Sequence, residues 1–197
     1  MIFDERKQPG SFLLMDDMRG MIGAALLYKG YSVNTTDPQQ LREARDLLIA
    51  AKQRSQGFAG GVEGKNKVLA RTVQLAICYN GDAVRGMGED AATVYFVPRE
   101  GGQIWVDSLC IPAQAPNRAL AEKFINYILD PRVGAKLSNF NQYATPNKAA
   151  REFINPADLK NPAIYPTAEM IAKLQFLKDL GRDLKLYDEI WTQIKSK

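Results

Sequence analysis

The feature that most constrains the fold is a short apolar run, residues 11–15, that ends in two aspartates. A run of this length with polar flanks is typical of a buried strand. Asp17 stands where its side chain can cap a following helix, or do no more than that. Residues 18–29 then repeat apolar side chains with the period of one helix face. A strand followed directly by a helix is the building unit of α/β folds, so the sequence predicts an α/β layered fold.

The alternation continues along the chain. Further strands are predicted over 73–79, 93–97 and 104–109, and further helices over 38–54, 118–129, 131–138, 147–154, 168–180 and 183–194. Residues 55–67 contain four glycines and few apolar anchors, which predicts a mobile loop. Three prolines within 155–167 predict an extended connector.

Composition excludes several classes of function. The chain has 197 residues and no histidine, which removes the usual general base and the usual metal ligand at neutral pH. The net charge of +4 comes from scattered side chains, so no nucleic-acid partner is predicted. No segment approaches the ~20 apolar residues of a membrane span. The first residues also lack the pattern of a secretory signal peptide.

The two cysteines, Cys78 and Cys110, have neither metal-ligand nor redox-motif spacing. Each lies in an apolar run, so both are expected to be buried free thiols. Their spacing alone leaves a disulfide between them open. No metal site and no cofactor are predicted. Without histidine a Ser-His-Asp or Cys-His arrangement is impossible, and no carboxylate pair is marked by its spacing, so the chain is predicted not to be an enzyme.

Trp105 and Asp107 are two residues apart, which on a strand places both side chains on one face. An indole face beside a carboxylate suits an organic cation, since the ring quadrupole and the negative charge both attract it. The simpler alternative is a half-buried strand in which the tryptophan packs in the core and the aspartate caps a turn.

Three further side chains, those of Asp17, Tyr79 and Asp82, lie at or just after the ends of predicted strands. Ligands of open α/β sheets bind at the carboxyl ends of strands, so this shared position indicates a binding site. Each residue also has a local interpretation, as a helix cap for the two aspartates and as an edge-of-core residue for Tyr79.

The chain resembles the spermidine/putrescine-binding periplasmic proteins, the solute receptors of ABC transporters. The matching motifs run in order through nearly the whole sequence: LLMDDMR at 13–19, GYSVNTTD at 30–37, YNGD at 79–82, PREGG at 98–102, WVDSL at 105–109, IP at 111–112, YATPN at 143–147 and the connector at 165–166. The resemblance implies a periplasmic-binding-protein-like (type II) lobe with a mixed sheet flanked by helices, in a protein whose two lobes close on a ligand.

The resemblance also implies which residues line the polyamine site and what each does. Trp105 would pack along the aliphatic ligand, and Asp107 would bind one ammonium group. Asp17 would bind the far amine, and Asp82 would add a carboxylate. Tyr79, which stands where the family usually has tryptophan, and Tyr143 would complete the site.

Two departures from the family pattern bear on the ligand. The family commonly has a glutamate three positions after Asp17, where this chain has Gly20, so capture of a second ammonium group is expected to be weaker. The chain is also shorter than the family, which has an N-terminal stretch before the part that matches Ile2 onward. We therefore expect a fragment in which 1–106 and 152–197 belong to the second lobe.

Residues 107–151 would then belong to the first lobe, and their helix with Phe124, Ile125 and Ile128 would expose apolar surface. The fragment is accordingly expected to self-associate or to swap this segment between copies.

The function that these motifs favour is capture of polyamines such as spermidine or putrescine for import, with the membrane permease of an ABC transporter as partner. The full-length parent would be periplasmic or otherwise extracytoplasmic. One alternative keeps the receptor fold and changes the ligand to another cationic or amino-acid-like solute. The other alternative is a small enzyme that uses Asp82 or Asp107.

Overall fold

A computed structural model describes all residues from 1 to 197, and the chain divides into two compact units. Unit 1 combines residues 1–104 with residues 168–197, and unit 2 consists of residues 105–167. The sequence analysis placed its segment boundaries at 106/107 and 151/152. The assignment of the segments to lobes stays a prediction.

The sheet of unit 1 is built around β1 (Phe12–Met15), all of whose residues are buried. β2 (Phe58–Ala59) pairs with one side of β1, and β3 (Leu75–Ala76) pairs with the other side. A separate pair joins β4 (Gly102–Ile104) to β5 (Leu174–Phe176). Every pair is parallel, whereas the sequence analysis expected a mixed sheet.

Helices connect and follow these strands. In chain order they are α1 (Met18–Tyr28), α2 (Pro38–Arg54), α3 (Gly61–Leu69), α4 (Asn80–Glu89), α5 (Arg118–Leu129), α6 (Pro131–Asn141), α7 (Pro156–Leu159), α8 (Ala168–Ile171) and α9 (Leu184–Ser196), with 3-10 turns at Glu5–Lys7, Lys148–Phe153 and Gly181–Asp183. The combination of parallel strands and helices confirms the α/β fold class.

The beginnings of the first two helices follow from local chemistry. The side chain of Asp17 accepts the backbone N–H of Gly20, and the side chain of Asp37 accepts those of Gln39 and Gln40. Pro38 occupies the first turn of α2, where its missing N–H has no cost. These acceptors satisfy N–H groups that have no partner within the helix.

The core of unit 1 lies between β1 and the helices α1, α2 and α9. Its fully buried members include Phe12, Leu26, Leu48 and Tyr187. Tyr187 is 0% exposed, and its hydroxyl lies 3.0 Å from the carbonyl oxygen of Val33 and 2.9 Å from that of Thr35. The buried hydroxyl therefore has a hydrogen-bond partner, as a buried polar group requires.

Unit 2 has a much smaller core, in which the buried residues Ala135, Ala150 and Ile154 pack together with Leu159 and Tyr165 around them. Helix α5 has no buried residue. The helix is confirmed as predicted, but of the three apolar residues expected to be exposed only Phe124 is, at 54%. Ile125 and Ile128 are partly buried.

Several local predictions are wrong. Residues 55–67 form β2 and the start of α3 instead of a loop, and residues 93–97 pair with no strand. Residues 105–109 continue as irregular, exposed chain after β4 ends at Ile104. The helix predicted over 168–180 stops at Ile171, and β5 follows it. None of the helices combines the length and the apolar character that crossing a bilayer needs.

Both cysteines are free thiols, so the disulfide that the sequence left open is not formed. Cys78 is partly buried, and Cys110 is exposed. The expectation of burial is wrong for Cys110 because the apolar run around it does not form a strand.

Candidate functional site

Asp17 and Tyr79 meet at the carboxyl end of the three-stranded sheet in unit 1. Asp17 directly precedes α1, and Tyr79 directly precedes α4. The hydroxyl of Tyr79 donates to Oδ2 of Asp17 at 2.9 Å, while Oδ1 of Asp17 accepts the N–H of Gly20 at 3.0 Å. Each carboxylate oxygen therefore has one donor and keeps acceptor capacity for another.

The absence of a side chain at Gly20 makes this arrangement of Asp17 feasible. A Cβ atom at Gly20 would lie 2.8 Å from Oδ2 of Asp17, which is too close unless the carboxylate moves, and 3.1 Å from Cε of Met15, which is a tight contact. Gly20 therefore allows the carboxylate to lie against the first turn of α1. A glutamate side chain at this position, which the resemblance to the family predicts and this chain lacks, would displace the carboxylate of Asp17 from the place where it binds Tyr79.

Asp82 lies in the first turn of α4 and is only 6% exposed. Its Oδ1 pairs with Nη2 of Arg85, one turn further along the helix, at 2.5 Å. A Cβ atom at Gly61, the first residue of α3, would lie 3.0 Å from Oδ2 of Asp82 and 3.4 Å from the ring of Tyr79. Asp82 and the ring of Tyr79 therefore both border Gly61.

The three aspartates near the carboxyl end of the sheet, Asp16, Asp17 and Asp82, differ in whether a cationic side chain pairs with them. Asp16 pairs with Nζ of Lys195 at 2.8 Å, and Asp82 pairs with Arg85. Asp17 has hydrogen-bond donors and no cationic partner. Of these three carboxylates, Asp17 is therefore the one whose negative charge is not balanced within the chain.

The thiol of Cys78, which directly precedes Tyr79 in the chain, is partly buried. Burial, together with a smaller contribution from the negative charge of Asp82, raises the pKa of Cys78 to about 11. Burial also raises the pKa of Tyr95, with a smaller contribution from Cys78. Cys78 is thus a protonated thiol at neutral pH and a poor nucleophile. No group of three or more Cys, Asp or Glu side chains is placed to hold a metal ion.

Trp105 and Asp107 begin unit 2 and lie on irregular chain, so the prediction that a strand aligns them on one face is wrong. Trp105 is 37% exposed, and Asp107 is exposed. The β-branched and aromatic composition of the segment favours a strand, but the ladder with β5 ends at Ile104 and Phe176.

Tyr143 lies in unit 2, in a loop between α6 and the 3-10 turn at 148–153. Its carbonyl oxygen accepts the hydroxyl of Ser138 at 2.5 Å, and its N–H donates to Oδ1 of Asn141 at 3.0 Å. Asn147 donates its side-chain amide to the carbonyl oxygen of Leu129 at 2.8 Å. These bonds hold the backbone of the loop.

The structure thus brings together Asp17, Tyr79 and Asp82 in unit 1 and places Trp105, Asp107 and Tyr143 in unit 2. Sequence reasoning missed Arg85 and Gly61. The spacing of three residues between Asp82 and Arg85 on one helix could have revealed the first, since side chains at that spacing are neighbours. Gly61 gave no signal, because its contacts depend on the tertiary placement of α3.

Comparison with known proteins adds independent findings. Residues 2–167 match the profile of a family described as bacterial extracellular solute-binding protein. The spermidine/putrescine-binding periplasmic protein of Escherichia coli is 35% identical over 189 residues, which are 95% of this chain and 53% of that protein. The putrescine/cadaverine-binding protein of Pseudomonas aeruginosa is 36% identical over 205 residues, covering 99% of this chain and 58% of that protein.

Solved structures agree on the fold. A spermidine/putrescine ABC transporter chain from Listeria monocytogenes superposes with a TM-score of 0.89 at 30% identity, over 98% of this chain and 60% of that one. The spermidine/putrescine transporter substrate-binding protein of Streptococcus pneumoniae gives a TM-score of 0.77 at 25% identity, over 99% and 60%. The chain therefore spans between half and two thirds of the length of these relatives.

Proposed function

Because the chain belongs to the family of bacterial extracellular solute-binding proteins, we propose that it is part of a receptor that captures polyamines such as spermidine or putrescine. Relatives named for binding these amines match almost the whole chain and about half of their own length. Their names are those of binding proteins, and this family membership agrees with the prediction that the chain is not an enzyme.

The observation that carries this proposal is the unbalanced carboxylate of Asp17, which Tyr79 holds at the carboxyl end of parallel strands. An ammonium group that reaches Asp17 gains a charge-assisted hydrogen bond, and the aromatic ring beside it attracts the cation and packs on its methylene groups. Exclusion of water on binding strengthens the attraction between the charges.

In unit 2 the proposed ligand contacts are Trp105, Asp107 and Tyr143. The exposed indole of Trp105 offers a face for methylene groups or for a cation, and the exposed carboxylate of Asp107 has no ion pair to compete with an ammonium group. The side chain of Tyr143 is partly buried in a loop whose backbone is fixed by hydrogen bonds.

The proposed role also includes a place in a larger assembly. Residues 1–106 and 152–197 would belong to the second lobe of a two-lobe receptor, and residues 107–151 to the first. The receptor would act outside the cytoplasm and deliver its ligand to the permease of an ABC transporter. The names of the relatives, which include periplasmic binding proteins and a transporter substrate-binding protein, support the proposed location and the proposed transporter partner.

The α5 face, formed by Leu120, Phe124 and Tyr127, supports the proposal that this chain self-associates. These side chains are 65%, 54% and 62% exposed, and they recur at the spacing of one helix face. Exposed apolar residues that cluster in this way mark an interaction surface or an aggregation hazard. In a solution of this chain alone, the partner available to that face is a second copy.

Calorimetric titration of the chain with putrescine and spermidine tests the proposed ligand class, with Asp107→Ala beside it. Asp188→Ala is a matched control, because it removes one exposed aspartate of α9 far along the sequence from every proposed contact. We expect binding by the parent and the control and at least a tenfold weaker affinity for Asp107→Ala, the effect of losing a charge-assisted hydrogen bond of about 1.5–3 kcal/mol. Equal affinity of all three proteins would contradict the role of Asp107.

A second candidate ligand is another cationic or amino-acid-like solute. Two observations favour it: Gly20 supplies no carboxylate on the first turn of α1 beside Asp17, and Tyr79 is a smaller platform than tryptophan. Titration with γ-aminobutyrate beside putrescine separates the two candidates. Tighter binding of the carboxylate-bearing amine would favour the second candidate, and tighter binding of the diamine would favour the first.

A further inference from the structure

Asp82 and Arg85 form an ion pair whose partners differ in their burial. The side chain of Asp82 is 8% exposed, and that of Arg85 is 42% exposed, with 2.5 Å between Oδ1 and Nη2. The carboxylate is therefore fixed in the first turn of α4, while its partner reaches it from the surface. Because arginine is always charged, it neutralises the carboxylate at every physiological pH.

The burial of the Asp82 carboxylate explains why it needs a cationic partner. Burying a carboxylate without a charge partner is costly, and Arg85 supplies that partner in the unliganded chain. Any other cation that binds Asp82 has to displace the guanidinium or tolerate it as a like charge nearby. On the surface, Lys195 pairs with the exposed carboxylate of Asp16, which leaves Asp17 as the acid at this end of the sheet without a cationic partner.

We propose that Arg85 is a specificity-determining residue. Its ion pair with Asp82 makes that carboxylate unavailable to a ligand, so unit 1 offers its ligand one ammonium site, at Asp17. This assignment rests on the proposed function and refines it. A diamine gains little from its second ammonium group within unit 1, because the carboxylate that would receive it is already paired. The ligand class that unit 1 accepts is accordingly an alkylamine with one required ammonium group.

The test replaces Arg85 with glutamine and compares putrescine with butylamine, which has the same four carbons and one ammonium group. Removing the guanidinium frees Asp82 for the second ammonium group of putrescine. We expect the ratio of the butylamine Kd to the putrescine Kd to rise roughly threefold to tenfold, the range of a partly exposed to a well-formed ion pair. Butylamine affinity itself is expected to change little.

Arg71→Gln is the matched control. Arg71 pairs with Asp90 at the same distance of 2.5 Å, and Asp90 is the C-cap of α4, the helix whose first turn contains Asp82. The substitution changes the net charge equally and frees an aspartate at the opposite end of α4, so the Kd ratio is expected to stay at the parent value. A double variant, Asp82→Asn with Arg85→Gln, removes the buried charge together with its partner and is expected to return the ratio to the parent value.

The outcomes separate this assignment from the proposed function. A ratio that rises for Arg85→Gln alone supports the assignment. A ratio that stays constant, or that rises equally for Arg71→Gln, overturns the assignment and leaves amine capture standing. Absence of binding of either amine by the parent and by both folded single variants overturns the proposed polyamine function and this assignment with it.

Discussion

The two units of this chain differ in how they use their apolar residues. Unit 1 buries Phe12, Leu26 and Leu48 completely around a central strand, and it carries the unbalanced carboxylate of Asp17 at the end of that strand. Unit 2 buries few apolar side chains and presents Phe124 and Phe140 to solvent, at 54% and 79% exposure. We therefore expect unit 1 to contribute most of the stability of the chain, and we propose that the exposed apolar side chains of unit 2 mediate self-association.

The largest expected effect comes from deleting the same side chain in each unit. Phe12→Ala empties a fully buried site in unit 1 and is expected to lower the free energy of unfolding by about 3–5 kcal/mol. Phe124→Ala removes an exposed ring in unit 2 and is expected to change it by less than about 0.5 kcal/mol. Urea denaturation followed by circular dichroism measures both. Equal losses of stability in the two variants would contradict the expectation that unit 1 contributes most of the stability of the chain.

The next largest effect is expected on the self-association of the chain. Replacing Phe124 by serine removes apolar area from the α5 face, and a buried phenylalanine contributes about 1.5–3 kcal/mol, so we expect the dissociation constant of self-association to rise at least about tenfold. Phe176→Ser removes a ring of similar exposure, 52%, from unit 1 and serves as control. Sedimentation velocity over a wide concentration range measures the change. A monomeric parent at every concentration would contradict self-association.

Cys78 in unit 1 and Cys110 in unit 2 are also expected to differ in how fast they are alkylated. A pKa of about 11 leaves Cys78 with roughly a hundredfold less thiolate at pH 8 than a thiol at the ordinary value of 9.0, and higher intrinsic nucleophilicity recovers about a factor of ten. We expect iodoacetamide to modify exposed Cys110 at least about tenfold faster than Cys78, with the Cys78 rate still rising between pH 9 and pH 11. Peptide mass spectrometry over time measures both rates. Equal rates would show that Cys78 is not shielded.

The smallest effect concerns one hydroxyl group. Tyr79→Phe removes the hydrogen bond to Asp17 and is expected to lower the free energy of unfolding by about 1 kcal/mol and putrescine affinity by a similar amount. Tyr31→Phe removes a comparable bond to Glu43, 3.1 Å long, and is expected to leave affinity unchanged. If both variants lose affinity equally, Tyr79 acts through stability and not through the position of Asp17.

The helices with clear caps could be predicted from the sequence. Asp17 and Asp37 cap the beginnings of α1 and α2 with their side chains, and side-chain caps and apolar periodicity are local signals. Asn117 directly precedes α5 as predicted, although its side chain makes no capping hydrogen bond. The strands at 93–97 and 105–109 were predicted wrongly because a strand also needs a partner, and no neighbouring segment pairs with them. Helix α3 was missed because its glycines are read as loop residues.

The site shows the same division between local and tertiary information. The common position of Asp17 and Tyr79 after predicted strands correctly placed them together, since parallel strands bring their carboxyl ends to one edge. The close approach of Gly61 to Asp82 depends on how α3 packs beside α4, which no local pattern reports. The pairing of Asp82 with Arg85 has a local signal in its spacing, and only the buried position of the carboxylate gives it significance.

Calorimetry with putrescine on variants of two adjacent aspartates tests whether the carboxylate of Asp17 binds the ammonium group. Asp17→Asn keeps the helix cap and removes the unbalanced charge, whereas Asp16→Asn removes a charge that Lys195 already neutralises. We expect Asp17→Asn to bind putrescine about tenfold to a hundredfold more weakly than the parent, and Asp16→Asn to stay within about twofold of it. Parental affinity in Asp17→Asn would contradict the claim that this carboxylate binds the ammonium group.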